Sequence, residues 1–198
     1  MKPACELAQV IRQHWDETDR HADLNPWQKR TLRLLRDCRT SAMGGHIDTC
    51  PDCHHLHISY NSCRNRHCPK CQIMAKEDWI RAREAELMPV PYFHVVFTLP
   101  DAVNRLCLFA PAKVYNALFE TAWSVMRSFA RDASHLGAET GMIALLHTWG
   151  QNLSLHPHLH CIVPGGGVTA GGAWRTARAK GRFLFPVKAM SLVFRARM

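Results

Sequence analysis

Cysteines and histidines crowd between Cys38 and Cys71. Cys50-Pro-Asp-Cys53 and Cys68-Pro-Lys-Cys71 are Cys-x-x-Cys knuckles. Each can turn two thiolates toward one point, and two knuckles complete the tetrahedron that zinc prefers. The spacing predicts a zinc ribbon with one structural Zn2+ held by Cys50, Cys53, Cys68 and Cys71. Cys38, His46, Cys63 and His67 form a second tetrahedral set, or else are packing groups and exposed histidines. The loop 61–70 carries Arg64, Arg66 and Lys70 beside the metal, residue types that contact phosphate; the alternative is a solvated charged rim.

A second cluster, His156-Pro-His158-Leu-His160, lies far downstream. If 156–164 is a strand, alternation puts His158 and His160 on one face and Leu159 in the core, the arrangement of a two-histidine metal site on a rigid sheet. His147 and Gln151, on the preceding predicted strand, are candidates for a third ligand. Spacing alone does not choose among zinc, iron, nickel, magnesium and manganese.

The bulk numbers bound the reading. The chain has 198 residues, 47% of them hydrophobic, enough for one medium or two small domains. Its net charge of +9, from 25 basic against 16 acidic residues, points to a polyanionic partner, nucleic acid first, or to a generally basic surface. The nine cysteines crowd into knuckles, and no signal peptide or membrane-length apolar run is apparent. Reduced thiolates on a metal in the cytoplasm follow. Cys5, Cys107 and Cys161 read as small buried hydrophobes.

The elements that must position these groups follow from periodicity. Residues 4–20 read as a helix, and Asn25-Pro26 opens a second one with a cap and a first-turn proline. The ribbon occupies 46–71 as two short hairpins, and 72–88 return to helix. A domain boundary falls at Pro89, giving domains 1–89 and 90–198. Beyond it, 92–100 read as a buried strand, 111–134 as the longest helix, and 140–149 and 156–164 as two strands. Gly165-Gly166-Gly167 breaks the last of these. A basic hairpin is expected from Trp174 through Arg175, Arg178, Lys180 and Arg182 to Phe185, and 190–198 start as a helix. The order predicts an α+β fold with an antiparallel sheet.

Several runs together resemble one family: Cys38-Arg-Thr, Gly44-Gly-His46, Tyr60-Asn-Ser-Cys-Arg-Asn-Arg-His-Cys-Pro-Lys-Cys-Gln72, Val96-Phe-Thr-Leu-Pro100 and His156-Pro-His-Leu-His-Cys-Ile-Val-Pro-Gly-Gly-Gly167. They are similar to the two-tyrosine transposases of the insertion sequence ninety-one type, relatives of helitrons in the His-hydrophobic-His (HUH) nuclease superfamily. The resemblance runs from about residue 7 to the end. It implies an N-terminal zinc-binding domain that recognises transposon-end DNA, then the start of a rolling-circle nuclease domain. It also implies that His158 and His160 hold Mg2+ or Mn2+, which polarises the scissile phosphate of single-stranded DNA for attack by a tyrosine. A bacterial, nucleoid-associated location follows.

One departure stands out. The family's paired tyrosines lie downstream of the histidine pair, whereas Tyr60, Tyr92 and Tyr115 all precede it. The chain therefore reads as an N-terminal part, or a truncated copy, that is inactive alone: it binds DNA and metal but forms no covalent DNA adduct. The competing reading is a non-enzymatic zinc-ribbon DNA-binding protein with structural histidines. A zinc deaminase or hydrolase is disfavoured, because neither His-x-Glu nor His-Glu-x-x-His occurs.

Overall fold

A computed structural model describes residues 5–21, 23–152, 154–178 and 182–198. The chain divides into two compact units, Met1–Leu87 and Met88–Met198. The fold is α+β, with small antiparallel sheets.

The first unit begins with α1 (Leu7–Gln13) and α2 (Trp15–His21), separated at His14, so the expected single helix is two short ones. α3 (Pro26–Asp37) starts where the sequence predicts. The Gln28 amide donates to Asn25 Oδ1 at 2.9 Å, and Asn25 N–H donates to Gln28 Oε1 at 2.9 Å, closing a reciprocal cap. α1 packs on α3, and the Arg36 guanidinium lies 4.3 Å above the Trp15 ring. β1 (Gly45–Thr49) and β2 (Leu56–Tyr60) form one antiparallel hairpin.

The second expected hairpin is absent. Cys68 is instead the N-cap of α4 (Pro69–Ala85), and Pro69 fills the first helical position, where its missing N–H leaves no intrahelical bond unmade. Among the described residues of this unit, the buried apolar side chains are Ala8, Leu35, Cys38 and Cys68. So small a core, half of it cysteine, holds a unit of this size only with additional cross-linking.

The second unit is built on a three-stranded sheet in the order β3 (Tyr92–Thr98), β5 (Leu155–Pro164), β4 (Ile143–Trp149), antiparallel throughout. Short helices α5 (Asp101–Asn104) and α6 (Leu106–Phe109) lead into α7 (Pro111–Arg131). α7 buries Leu118, Ala122, Val125, Met126, Phe129 and Ala130 at three- and four-residue spacing. These side chains, with Met190 and Phe194 of α8 (Val187–Arg197), join Phe97, Leu159, Cys161 and Val163 in one core. The sheet therefore has a covered face and an open face, and period-two alternation decides which residue goes where.

The expected 174–185 hairpin takes another form. β7 (Trp174–Thr176) pairs back with β6 (Gly166–Val168), while Leu184 and Phe185 enter the core. The backbones approach so closely there that a Cβ on Gly166 would sit 2.5 Å from the Arg175 carbonyl oxygen, which accounts for the glycine run. Lys180 lies outside the described residues.

Candidate metal centres

In the first unit, the Sγ atoms of Cys38, Cys63, Cys68 and Cys71 all lie within 4.8 Å of one another. Cys38 is at the end of α3, Cys63 follows the hairpin, and Cys68 and Cys71 sit on the first turn of α4. Cys71 Sγ is 3.5 Å from Cys38 Sγ and 3.6 Å from Cys63 Sγ. A ZnS4 tetrahedron with Zn–S of about 2.3 Å has edges of about 3.8 Å, so the cage needs only slight expansion to take the ion. No cysteine is in a disulfide.

The thiols also respond to crowding. Burial raises Cys38 and pushes Cys63 up to about 12. Burial acts the same way on Cys71, but its contacts with Cys38, Cys63 and Cys68 bring it down to about 7. Cys71 gives up its proton readily while Cys38 and Cys63 resist, and a bound cation would supply the charge that draws their protons off.

The structure brings Cys68 and Cys71 together with Cys38 and Cys63, and does not bring Cys50 and Cys53, expected in one site with them, to the same point. The hairpin supplies the reason. Its open end is tied shut by Asn61 N–H to Gly44 O at 3.0 Å and Arg39 N–H to Asn61 O at 3.1 Å, which sets Cys38 and Cys63 side by side. Cys50 and Cys53 are at the tip, about 16 Å away along five strand residues. His46 and His67 are not in the cage either: His46 faces Asp48 at 3.6 Å, and the His67 ring meets the edge of Trp27. Arg64 and Arg66 are exposed beside the cage, while Lys70 is ion-paired with Glu6 at 2.7 Å.

The second centre lies on the open face of the three-stranded sheet. His158 and His160 flank the fully buried Leu159, and their Nε2 atoms are 3.0 Å apart. Two donors bound cis at about 2.1 Å to one ion are separated by about 3.0 Å, so the pair fits a divalent cation. His147 stands opposite His158 on β4, and the three imidazoles have ligand atoms within 4.8 Å of one another. Gln151, the other candidate for a third ligand, lies in the exposed turn beyond β4 and past an irregularity in its pairing.

The imidazoles are anchored from behind. His158 Nδ1 is 2.6 Å from the His156 carbonyl oxygen. A carbonyl only accepts, so Nδ1 carries the proton and Nε2 keeps its lone pair. His160 Nδ1 is 2.7 Å from His94 Nε2, and those two rings stack with centroids 4.9 Å apart. Sequence patterning does not single out His94. It sits on β3, one strand over, and only its even-numbered register with Val96 and Thr98 hints that it shares the open face. Burial, then the neighbouring His147, His158 and His94, hold the His160 pKa below its ordinary value.

Within this unit, neither tyrosine stands at the cluster. Tyr92 is at the far end of β3, opposite Pro164, and its hydroxyl accepts the Met88 N–H at 2.9 Å. Tyr115 packs against the core from α7, and Tyr60 belongs to the hairpin of the other unit. Among the described residues, no helix is long and apolar enough to cross a membrane.

Residues 10–99 match a family model described as "Transposase zinc-binding domain", and residues 141–198 match one described as "Putative transposase". The cysteine cage falls wholly within the first match; His147, His158 and His160 fall within the second. The chain belongs to the insertion sequence ninety-one family of transposases. It is 46% identical over 191 residues to "Putative transposase y4qJ" of Sinorhizobium fredii, covering 96% of this chain and 48% of that protein. It is 32% identical over 168 residues to the "Transposase for insertion sequence element IS801" of Pseudomonas savastanoi pv. phaseolicola, covering 84% of this chain and 40% of that one. This family member thus spans about half or less of the length of these two relatives. No solved structure matches it.

Proposed function

We propose that this chain is the DNA-engaging, metal-binding part of a transposase. Its zinc unit docks transposon-end DNA, and its sheet presents a divalent cation to the scissile phosphate of a single strand. The observation that carries this reading is the 3.0 Å approach of two imidazole Nε2 atoms on an open sheet face, each ring held from behind at Nδ1.

His158, His160 and His147 would hold the cation, which neutralises charge developing on the phosphate oxygens. The protein's own part is positional. β5 fixes both rings on one face, and the His156 carbonyl keeps the proton on His158 Nδ1. Within the sheet unit, neither Tyr92 nor Tyr115 is placed to supply the hydroxyl nucleophile. Of the two cations the resemblance implies, only Mn2+ is a transition ion, and an imidazole-rich set favours such an ion over magnesium.

The test is binding of labelled single-stranded DNA in a salt series with and without Mn2+. Mn2+ should tighten binding, and log K should fall linearly with log salt. The double change Arg64→Ala/Arg66→Ala should reduce the magnitude of that slope by about 1.4, about 0.7 for each single-strand phosphate left without its arginine. Binding that ignores both salt and Mn2+ would overturn the reading.

His94 has a positioning role in the same proposal. For His160 to offer Nε2 to the metal, its Nδ1–H must donate to His94 Nε2. Outer contacts of this kind are worth about 10–100-fold in metal affinity. His94→Ala should weaken Mn2+ binding by that factor, measured by electron paramagnetic resonance of free Mn2+. His94→Gln, which restores an acceptor, should recover part of it. Equal losses in both variants would reduce His94 to a packing group.

A further inference from the structure

The knuckle at the hairpin tip belongs to neither centre. Among the described residues, the cysteine cage and the imidazole cluster are where three or more ligating groups converge; the knuckle offers two thiols. It is nevertheless shaped like the cage cysteines. Cys53 is followed by His54 at φ 56°, as Cys38 is by Arg39 at 57° and Cys63 by Arg64 at 51°. Non-glycine residues adopt this left-handed conformation only under constraint. The turn is closed by Cys50 N–H to His55 O and His54 N–H to Cys50 O, both 3.0 Å. Cys50 is half-buried and Cys53 exposed. Half of a thiolate tetrahedron is thus preorganised and turned outward.

The hairpin behind it carries an independent sign of a partner. A two-stranded hairpin is marginal in water by itself. This one leaves Ile47, Leu56 and Ile58, on one face by their pairing, 64%, 61% and 57% exposed.

We propose that the Cys50–Cys53 knuckle is half of an intermolecular zinc site, closed by the same knuckle of a second copy of this chain. Soft thiolates select zinc, and a structural zinc takes four ligands. An identical half-site related by a two-fold axis supplies the missing two, with each surface self-complementary. The four thiols release their protons to solvent as the four Zn–S bonds form, and nothing is oxidised. The same symmetry sets two apolar hairpin faces near each other for burial. This inference stands apart from the nuclease reading, because it uses neither DNA nor the histidine cluster.

The test is light-scattering mass and zinc content of the full chain, wild type against Cys50→Ser/Cys53→Ser, in zinc-containing buffer. The expected result is a dimeric wild type and a monomeric variant that has lost about one zinc per two chains. Comparing the two proteins cancels zinc bound at the cage or the histidines. Three results would overturn the proposal: loss of about one zinc per chain with no change in mass, since the knuckle then closes within one molecule; a variant that stays dimeric; or no change in zinc content.

Discussion

Replacing His158 and His160 together by alanine is expected to abolish Mn2+ binding by the second unit while leaving its fold intact. The two imidazoles are the pair whose Nε2 atoms are 3.0 Å apart. Removing one leaves His147 and a single partner; removing both leaves His147 alone. Loss of an outer-shell group costs about 10–100-fold in metal affinity, so loss of two direct ligands should exceed about 100-fold. The fold should survive because these side chains lie on the open face. Leu159, Cys161 and Val163, which alternate with them, pack into the core and are untouched. Mn2+ titration and a thermal melt on one sample check both halves. Undiminished Mn2+ binding in the double variant would remove the nuclease reading and leave a DNA-binding protein with structural histidines.

The second large effect is expected at the cysteine cage. Serine at Cys63 or Cys71, or removal of zinc with a chelator, should unfold the first unit and leave the second folded. With so few buried apolar side chains in the first unit, the ion replaces a core. Structural zinc in small domains binds with an apparent free energy of about 10–16 kcal/mol near neutral pH, as large as the total stability of a typical domain. Trp15, Trp27 and Trp79 report on this unit, so tryptophan fluorescence and amide exchange should change there. Amides of β5 should remain protected. Cys50→Ser/Cys53→Ser is the decisive contrast: it should keep the cage zinc and the folded first unit, whereas a ribbon built on Cys50, Cys53, Cys68 and Cys71 would lose both. Retention of the folded unit without zinc would show that the cage is a packing cluster.

Legibility in the sequence follows the range of each interaction. The Asn25 cap, the α7 stripe and the His158–Leu159–His160 alternation depend on residues within about one helical turn or one strand. The start of α4 is harder to read because the Cys68-Pro-Lys-Cys71 motif fits both a hairpin knuckle and a helix N-terminus. Pro69 at the first helical position is the signal that distinguishes them. The β7 pairing escapes a sequence reading because its partner, β6, is a short glycine-rich strand that looks like a break.

By itself, the sequence determined the longer helices and strands, the α+β class, the open-face histidine pair and the family, since each rests on a local period or a contiguous run. Tertiary structure alone decided which cysteines share a metal cage and which imidazoles surround His160. Cys38 meets Cys63 because a hairpin closes the chain between them, and hairpin length carries Cys50 and Cys53 out of reach. His94 meets His160, 66 positions away, because β3 pairs with β5 in one register. Shifting that pairing by one residue would turn His94 to the covered face, and nothing near His94 in the chain records the choice.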